Sequence, residues 1–369
     1  MISVAEALAK VTEGVSLVPA EDVPLSDALG RVLAEDVASR LTHPPSDVSA
    51  MDGYAVRAED VQAPPVTLKQ IGVSQAGAGF SGSMSAGETV RIFTGAPVPG
   101  GADAIVIQED TESDLDSGGN AITIKAASPT PKGRHIRPAG LDFKEGQVLL
   151  AAGKVLTARD VGLAASMNVP VLTVRKKPLV AFAATGDELV MPGEPLGPDQ
   201  IISSNSVALE AYVRVLGGRP KDLGIARDDE ESLRQVLAGA KGADLLVTIG
   251  GASVGDFDFV QKVLGEEGMD LGFYKVAMRP GKPMIFGNLS GVPVLGLPGN
   301  PVSAGVTSVI FLKAAMEKML GVLPENDTTA TALLGCDLKE NDHRQEYLRA
   351  RLSHDKSGNL TATPFDRQD

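Results

Sequence analysis

Acidic and cationic side chains recur in this chain where the backbone is about to turn, and their types suit an anionic ligand held with a cation's help. The run Gly250-Gly251-Ala252-Ser253-Val254-Gly255 opens into Asp256-Phe257-Asp258. Glycines leading into a helix N-terminus leave backbone N–H groups pointing outward, which favours an anion. Asp256 and Asp258 would repel a bare phosphate, so a metal-bridged anionic substrate suits the combination better. A simpler account has Asp256 capping a tight turn between strand and helix. Two stretches repeat the theme: Thr185-Gly186-Asp187-Glu188-Leu189, and Pro298-Gly299-Asn300-Pro301 followed by Val302-Ser303. Cations gather in two places. In Met278-Arg279-Pro280-Gly281-Lys282-Pro283, with Lys275 just upstream, the prolines stiffen the backbone that carries Arg279 and Lys282. Pro131-Lys132-Gly133-Arg134-His135-Ile136-Arg137-Pro138 is the densest basic cluster, with Asp142 close behind. Both loops read as exposed, solvated turns or as parts of an oxyanion site. Asp52, ahead of Gly53, is by itself a turn former.

The elements that must hold these loops are legible as short apolar runs. Leu179–Ala184, Ala243–Ile249 and Val292–Leu297 read as buried parallel strands, each ending at one of the glycine loops. Ligands of open α/β sheets bind outside the carboxyl ends of the strands, so three such ends point to one site. Helical spacing follows Ser3-Val4-Ala5-Glu6, Ser26-Asp27, Thr157, Ser206 and Asp228-Asp229-Glu230-Glu231, and a long pattern runs from Val302 toward Leu320. Strands are also expected at Phe273–Ala277 and Met284–Phe286. Between about Pro65 and Leu150, short β-branched runs alternate with Gly, Pro, Ser and Asp turns, as in an all-β insert. Within it, Thr94-Gly95-Ala96-Pro97-Val98-Pro99 follows a strand as a stiff loop. A second β-rich stretch runs from Thr328 to Thr363.

Size and composition narrow the class. The chain has 369 residues, 43% of them hydrophobic, which fits roughly two to four domains. A net charge of −13 argues against nucleic acid or an anionic membrane surface as the main partner. Cys336 is the only cysteine, and the four histidines show no metal-ligand spacing, so neither a disulfide framework nor a thiolate zinc site is expected. No signal segment or apolar run of transmembrane length stands out, and a soluble cytoplasmic protein is expected.

Six segments together resemble the molybdopterin molybdenumtransferase family, the molybdenum insertases that include bacterial enzymes and the E domain of gephyrin. They are Ser49-Ala50-Met51-Asp52-Gly53-Tyr54-Ala55, Thr94–Pro99, Thr185–Leu189, Gly250–Gly255, Arg279-Pro280-Gly281-Lys282-Pro283 and Gly296-Leu297-Pro298-Gly299-Asn300-Pro301-Val302-Ser303. They occur in the family's order and span essentially the whole chain. The resemblance implies a multidomain α/β plus β fold. A mostly parallel three-layer α/β molybdopterin-binding domain would take residues 1–25 and 175–323, and a small mixed linking domain residues 26–45 and 147–174. An inserted β-rich domain would take residues 46–146 and a C-terminal β domain 324–369. The family's C-terminal domain is longer, so this one is expected to be incomplete. The implied reaction cleaves the phosphoanhydride of adenylylated molybdopterin, releases AMP and inserts molybdate into the dithiolene, assisted by magnesium.

The resemblance carries Asp52, Thr94, Asp142, Glu188, Asp228 and Asp258 over as functional positions. Asp52, Glu188 and Asp258 are candidate metal ligands or water-positioning groups, with Thr94 beside them in the catalytic set. Substrate-binding candidates are Arg134, Arg137, Asp142, Asp228, Gly250, Gly251, Ser253, Lys275, Arg279, Lys282, Pro298, Pro301 and Ser303. Arg279 stands where many relatives have Lys, which keeps the charge and offers a planar fork. The resemblance also implies an elongated homodimer with its cleft between the α/β domain of one subunit and the β insert of the other. A molybdopterin adenylyltransferase would be the supplier of substrate. Rival readings are a non-catalytic scaffold of the gephyrin E-domain type, a nicotinamide-dependent oxidoreductase and a molybdopterin adenylyltransferase. The oxidoreductase is disfavoured because no G-x-G-x-x-G follows the first α/β strand.

Overall fold

The computed structural model describes residues 1–114, 121–125, 128–250, 257–324 and 330–368, and the chain forms two compact units. One comprises Met1–Glu35, Ala151–Ala158 and Val171–Asp369; the other, Asp36–Leu150 and Arg159–Pro170.

The first unit is built on a six-stranded sheet. In chain order its strands are β1 (Leu179–Thr185), β2 (Arg219–Ala226), β3 (Leu245–Ile249), β4 (Met269–Tyr274), β5 (Ile285–Leu289) and β6 (Val292–Leu297). Across the sheet the order is β2-β1-β3-β6-β5-β4. The strands β2, β1, β3 and β6 are parallel, whereas β5 and β4 continue the sheet in antiparallel fashion. Its helices are α1 (Val4–Glu13), α2 (Ser204–Val215), α3 (Glu230–Gly239), α4 (Phe257–Glu266), α5 (Pro301–Thr307) and α6 (Lys313–Leu320). A π-helical segment, Ser308–Leu312, joins the last two into one rod.

Alternation along the strands feeds two cores. Leu245, Val247 and Ile249 of β3 join Val180 and Phe182 of β1 in one core, closed by Val11 of α1, Val213 of α2, and Phe311 and Met316 of the rod. Leu246 joins Ala181 and Ala183 in the other, closed by Leu233 and Val236 of α3 and Val263 of α4. A sheet apolar on both faces must be covered on both, and three layers result. The mostly parallel α/β expectation holds, with an antiparallel edge because β5 and β6 are joined by a tight turn too short for a crossover helix. Ser3 and Glu6 form the expected capping box of α1.

The helix expected after Ser26-Asp27 is absent. Only a 3₁₀ turn forms at Leu25–Asp27. Gly30 then adopts φ +73° and donates its N–H to Leu156 O, which ends helical geometry. Val32 and Leu33, which fitted a helical stripe, are buried instead through isolated bridges to Val155 and Val174. Farther along, Gln345–Glu346 pairs in parallel with Met278–Arg279, and a small three-stranded sheet joins Leu333–Leu334, Leu360–Pro364 and Ala350–His354.

The second unit holds a six-stranded β-sheet in the order Ala104–Ile107, Gly53–Val56, Glu88–Ile92, Val66–Ser74, Ala121–Ile124, Thr111–Asp114. Its two faces also bury separate cores, with Tyr54, Val56 and Val106 in one and Ala55, Ile92 and Ile105 in the other. The β-rich insert read from the turn-dense sequence is therefore present. Gly53 is required at its position, because a Cβ there would lie 2.0 Å from Val106 O. The strand can approach its neighbour only with glycine directly after Asp52. Among the described residues no helix is long and apolar enough to cross a membrane.

Candidate functional site

Strand order in the first unit reverses direction between β1 and β3, and a crevice opens at such a switch point. A polar cavity of about 490 Å³ lies there, lined by Thr185, Gly186 and Glu188 after β1, Asp228 after β2, Gly250 after β3, and Pro298, Asn300, Pro301 and Ser303 after β6. That volume is within the ordinary range for small-molecule sites, roughly 300–1,000 Å³. Backbone packing is close at its floor. Gly250 has φ +97°, and a Cβ on it would lie 2.7 Å from Thr185 O; one on Gly299 would lie 3.3 Å from Gly250 Cα. The turn at Gly250 therefore needs glycine for both conformation and space, and Gly299 packs tightly against it.

Hydrogen bonds tie the loops together. Asp187 N donates to Asp228 Oδ2 at 3.4 Å, and Asp228 N to Asp187 Oδ1 at 3.2 Å. Arg227 Nη1 donates to the carbonyls of Asp187 and Leu189. Asn300 Oδ1 accepts from the amides of Val302 and Ser303, capping α5 with Pro301 at its first turn. Asn205 Nδ2 holds Gly299 O at 2.8 Å. The Thr185 hydroxyl is buried without a hydrogen-bond partner, alone in this among the described residues.

The connection from β4 to β5 forms the cationic loop. Lys275 N donates to Met284 O and Val276 N to Lys282 O, closing a hairpin-like loop with Lys275 at φ +72°. The strand expected over Phe273–Ala277 ends at Tyr274, because a left-handed residue cannot continue it. Lys275 Nζ lies 4.2 Å from the Tyr274 ring centroid. Gly281, at φ +101°, lets the loop pack on α5, since a Cβ there would be 2.6 Å from Thr307 Cγ2. Pro283 lines the cavity, whereas Lys275, Arg279 and Lys282 do not. Arg279 is an exposed fork engaged by Asp342 at 3.2 Å and Glu346 at 3.4 Å.

In the second unit Asp52 and Thr94 meet. Thr94 N and Oγ1 both donate to Asp52 Oδ1 at 2.7 Å. These two bonds, the backbone one foremost, hold the Asp52 carboxyl below its ordinary pKa. The basic loop is stitched alongside: Ile136–Arg137 pairs with Val48–Ser49, and Ala50 N donates to His135 O. Arg137 Nη2 contacts both oxygens of Asp142 at 3.0 and 2.9 Å, and His43 Nε2 lies 3.7 Å from Asp142. Arg134 Nε donates to His135 Nε2 at 3.1 Å. Burial, then Arg134, push the His135 pKa down, which suits that acceptor role.

Residues 2–168 match the model described as the MoeA N-terminal region (domain I and II), and residues 181–318 match that of the probable molybdopterin binding domain. Molybdopterin molybdenumtransferase 2 of Mycobacterium tuberculosis is 39% identical over 342 residues, covering 90% of this chain and 83% of that protein. The chain belongs to the molybdopterin molybdenumtransferase family. The Bacillus subtilis member is 35% identical over 368 residues, covering 98% of this chain and 85% of its own. The crystal structure of a molybdopterin biosynthesis MoeA protein from Pyrococcus horikoshii superposes with a TM-score of 0.82 at 33% identity, covering 100% of this chain and 90% of that one. As a molybdopterin molybdenumtransferase, the chain is an enzyme of molybdenum cofactor biosynthesis that acts in molybdenum transfer.

The cavity thus gathers Glu188, Asp228, Gly250, Pro298, Pro301 and Ser303 of the residues singled out from sequence. Asp52 pairs with Thr94, and Arg137 with Asp142, in the other unit. Gly251, Ser253, Asp256 and the Asp258 side chain lie outside the described residues. Thr185 and Asn300 stand inside the quoted motifs without being singled out as site residues, and Asn205 stands in none of them. Asn300 carried a signal, an Asn-Pro pair before a helix. Asn205 carried none, because its partner carbonyl is 94 residues away.

Proposed function

We propose that this enzyme cleaves the phosphoanhydride of adenylylated molybdopterin, releases AMP and inserts molybdate into the dithiolene. The carrying observation is the cavity at the β1/β3 switch point, where carboxylates, a glycine turn and the capped start of α5 converge. Glu188 and Asp228 supply hard oxygen donors, the type magnesium takes. Among the described residues no group of three or more His, Cys, Asp or Glu side chains could hold a metal. Magnesium nevertheless commonly uses one or two carboxylates together with substrate phosphates, so the donors present fit it. Glu188 and Asp228 of the cavity would hold the ion, with Asp52 and Asp258 as the further metal candidates that the family resemblance implies. Bound there it would neutralise charge developing on the phosphates.

The chain's own groups do the rest. The positive end of the α5 dipole favours an anionic substrate group, while the amides of Gly250, Val302 and Ser303 are taken by Leu297 O and Asn300 Oδ1. Lys275, Arg279, Lys282 and Ser303 are assigned to phosphate and molybdate oxygens, the lysines as point charges and Arg279 as a fork. Asp52 and Thr94, with Arg134, Arg137 and Asp142, are carried over from the family as further functional residues. We assign the enzyme a cytoplasmic homodimeric state, with a molybdopterin adenylyltransferase as its supplier. The reading is checked by product: adenylylated molybdopterin, molybdate and magnesium incubated with the enzyme should yield a cofactor that activates an apo-molybdoenzyme. Omission of molybdate should abolish that activation. Activation independent of the enzyme would count against the assignment.

A further inference from the structure

We propose that Asp342, seconded by Glu346, is a built-in competitor for the oxyanion at the cationic loop: its carboxylate occupies the Arg279 fork that the substrate's oxyanion must take. The inference rests on the assignment of Arg279 to an oxyanion. Three observations support it. First, Asp342 lies between two guanidinium groups. Its Oδ2 is 3.2 Å from Arg279 Nη2 and also accepts from Arg344 through Nε at 2.9 Å and through Nη2. Paired arginine forks around one anionic group are the arrangement that suits a tetrahedral oxyanion. Second, the backbone sets the placement. Gln345 N donates to Ala277 O and Tyr347 N to Arg279 O, each at 2.8 Å, so a paired strand presents Glu346 to Arg279 at 3.4 Å. Third, the engagement is selective. Among the described residues, neither Lys275 nor Lys282 of the same loop is in an ion pair, whereas Arg279 has two carboxylates.

The consequence is an exchange. An arriving oxyanion replaces Asp342 and Glu346 at Arg279, and its net affinity is lowered by the interactions it must break. The hydrogen bonds from Arg344, chiefly, hold the Asp342 carboxyl well below the usual carboxylate range, so mild acid does not relieve the competition. Removing the negative charge should therefore tighten oxyanion binding, the opposite of what removing a ligand-positioning residue does.

The test is molybdate titration by calorimetry on the wild-type enzyme, Asp342→Asn, Glu346→Gln, and Arg279→Gln combined with Asp342→Asn. Asparagine keeps an oxygen for the Arg344 amide, now bound to Asp342 Oδ1 at 2.8 Å, and thermal melts verify folding. Should Asp342→Asn fail to fold, Glu346→Gln carries the same sign. The expected result is about a three- to tenfold lower dissociation constant for Asp342→Asn, the size of one or two partly exposed ion pairs. A smaller gain is expected for Glu346→Gln, and loss of the gain when Arg279 is also replaced. Wild-type binding with equal or weaker binding by the folded variants would overturn the competition and make Asp342 a positioning group, leaving the oxyanion assignment standing. No molybdate binding by any of the proteins would overturn both.

Discussion

Thr185 and Gly250 make opposite predictions from adjoining atoms. An unmatched buried hydroxyl costs roughly 1–3 kcal/mol, and Thr185 Oγ1 is one. Thr185→Val should raise the unfolding free energy by about 1 kcal/mol in urea; a decrease would mean that the hydroxyl already has a partner. Gly250→Ala should do the reverse, lowering stability by roughly 1–3 kcal/mol, because the new Cβ meets Thr185 O at a φ of +97°. At Asp52 the sign follows from a depressed pKa. The stabilisation it contributes is present above the unfolded-state value and is lost as pH falls through the folded one. Thr94→Val removes the hydroxyl donor but leaves the backbone amide. The Asp52 pKa, followed by NMR, should therefore rise partway toward its ordinary value. These residues also mark how far sequence reaches. Glu188 and Gly250 were legible because acids and glycines at strand ends are visible locally. The Thr185 hydroxyl was not, since an unsatisfied atom exists only once its neighbours are in place.

Elements are held by contacts of two ranges, and only the shorter range shows in sequence. Helix α4, which carries Asp258, is tied to α3 by Arg234, whose guanidinium reaches Glu230 at 3.1 Å, Glu266 at 2.7 Å and Glu267 at 3.0 Å; Lys262 adds a bond to Glu230 at 2.8 Å. Arg234→Ala should speed amide exchange in α4 severalfold while β1 and β3 keep their protection. Equal acceleration throughout would instead indicate global destabilisation. Strands β1, β3 and β6 were readable because continuous apolar runs bounded by glycine have few other interpretations. The stretch after Asp27 reads as helix because Ala28, Leu29, Val32 and Leu33 have helical spacing, while Gly30 and the bridges to Val155 and Val174 decide otherwise. Likewise the carboxylate at Arg279 comes from 63 residues away. No periodicity encodes that meeting.

At the scale of the whole molecule, the proposed reaction would have a chain of net charge −13 collect an anionic pterin nucleotide and a dianionic oxyanion. Electrostatics of that overall sign slow the encounter, so in the proposed reaction local features must supply the attraction: a cation held by the cavity carboxylates, the positive end of α5 and the cationic loop. This makes turnover depend on groups whose removal leaves the fold intact. Glu188 lines an open cavity and its side chain belongs to neither apolar core, so Glu188→Gln should retain the wild-type melting profile. The most direct measurement is AMP release from adenylylated molybdopterin, with and without molybdate and magnesium, by the wild-type enzyme and Glu188→Gln. Molybdate-stimulated release by the wild type, reduced about a hundredfold or more in the variant, is the predicted result. Undiminished stimulated release by Glu188→Gln would contradict the assigned site, and no release by the folded wild type under these conditions would contradict the proposed reaction.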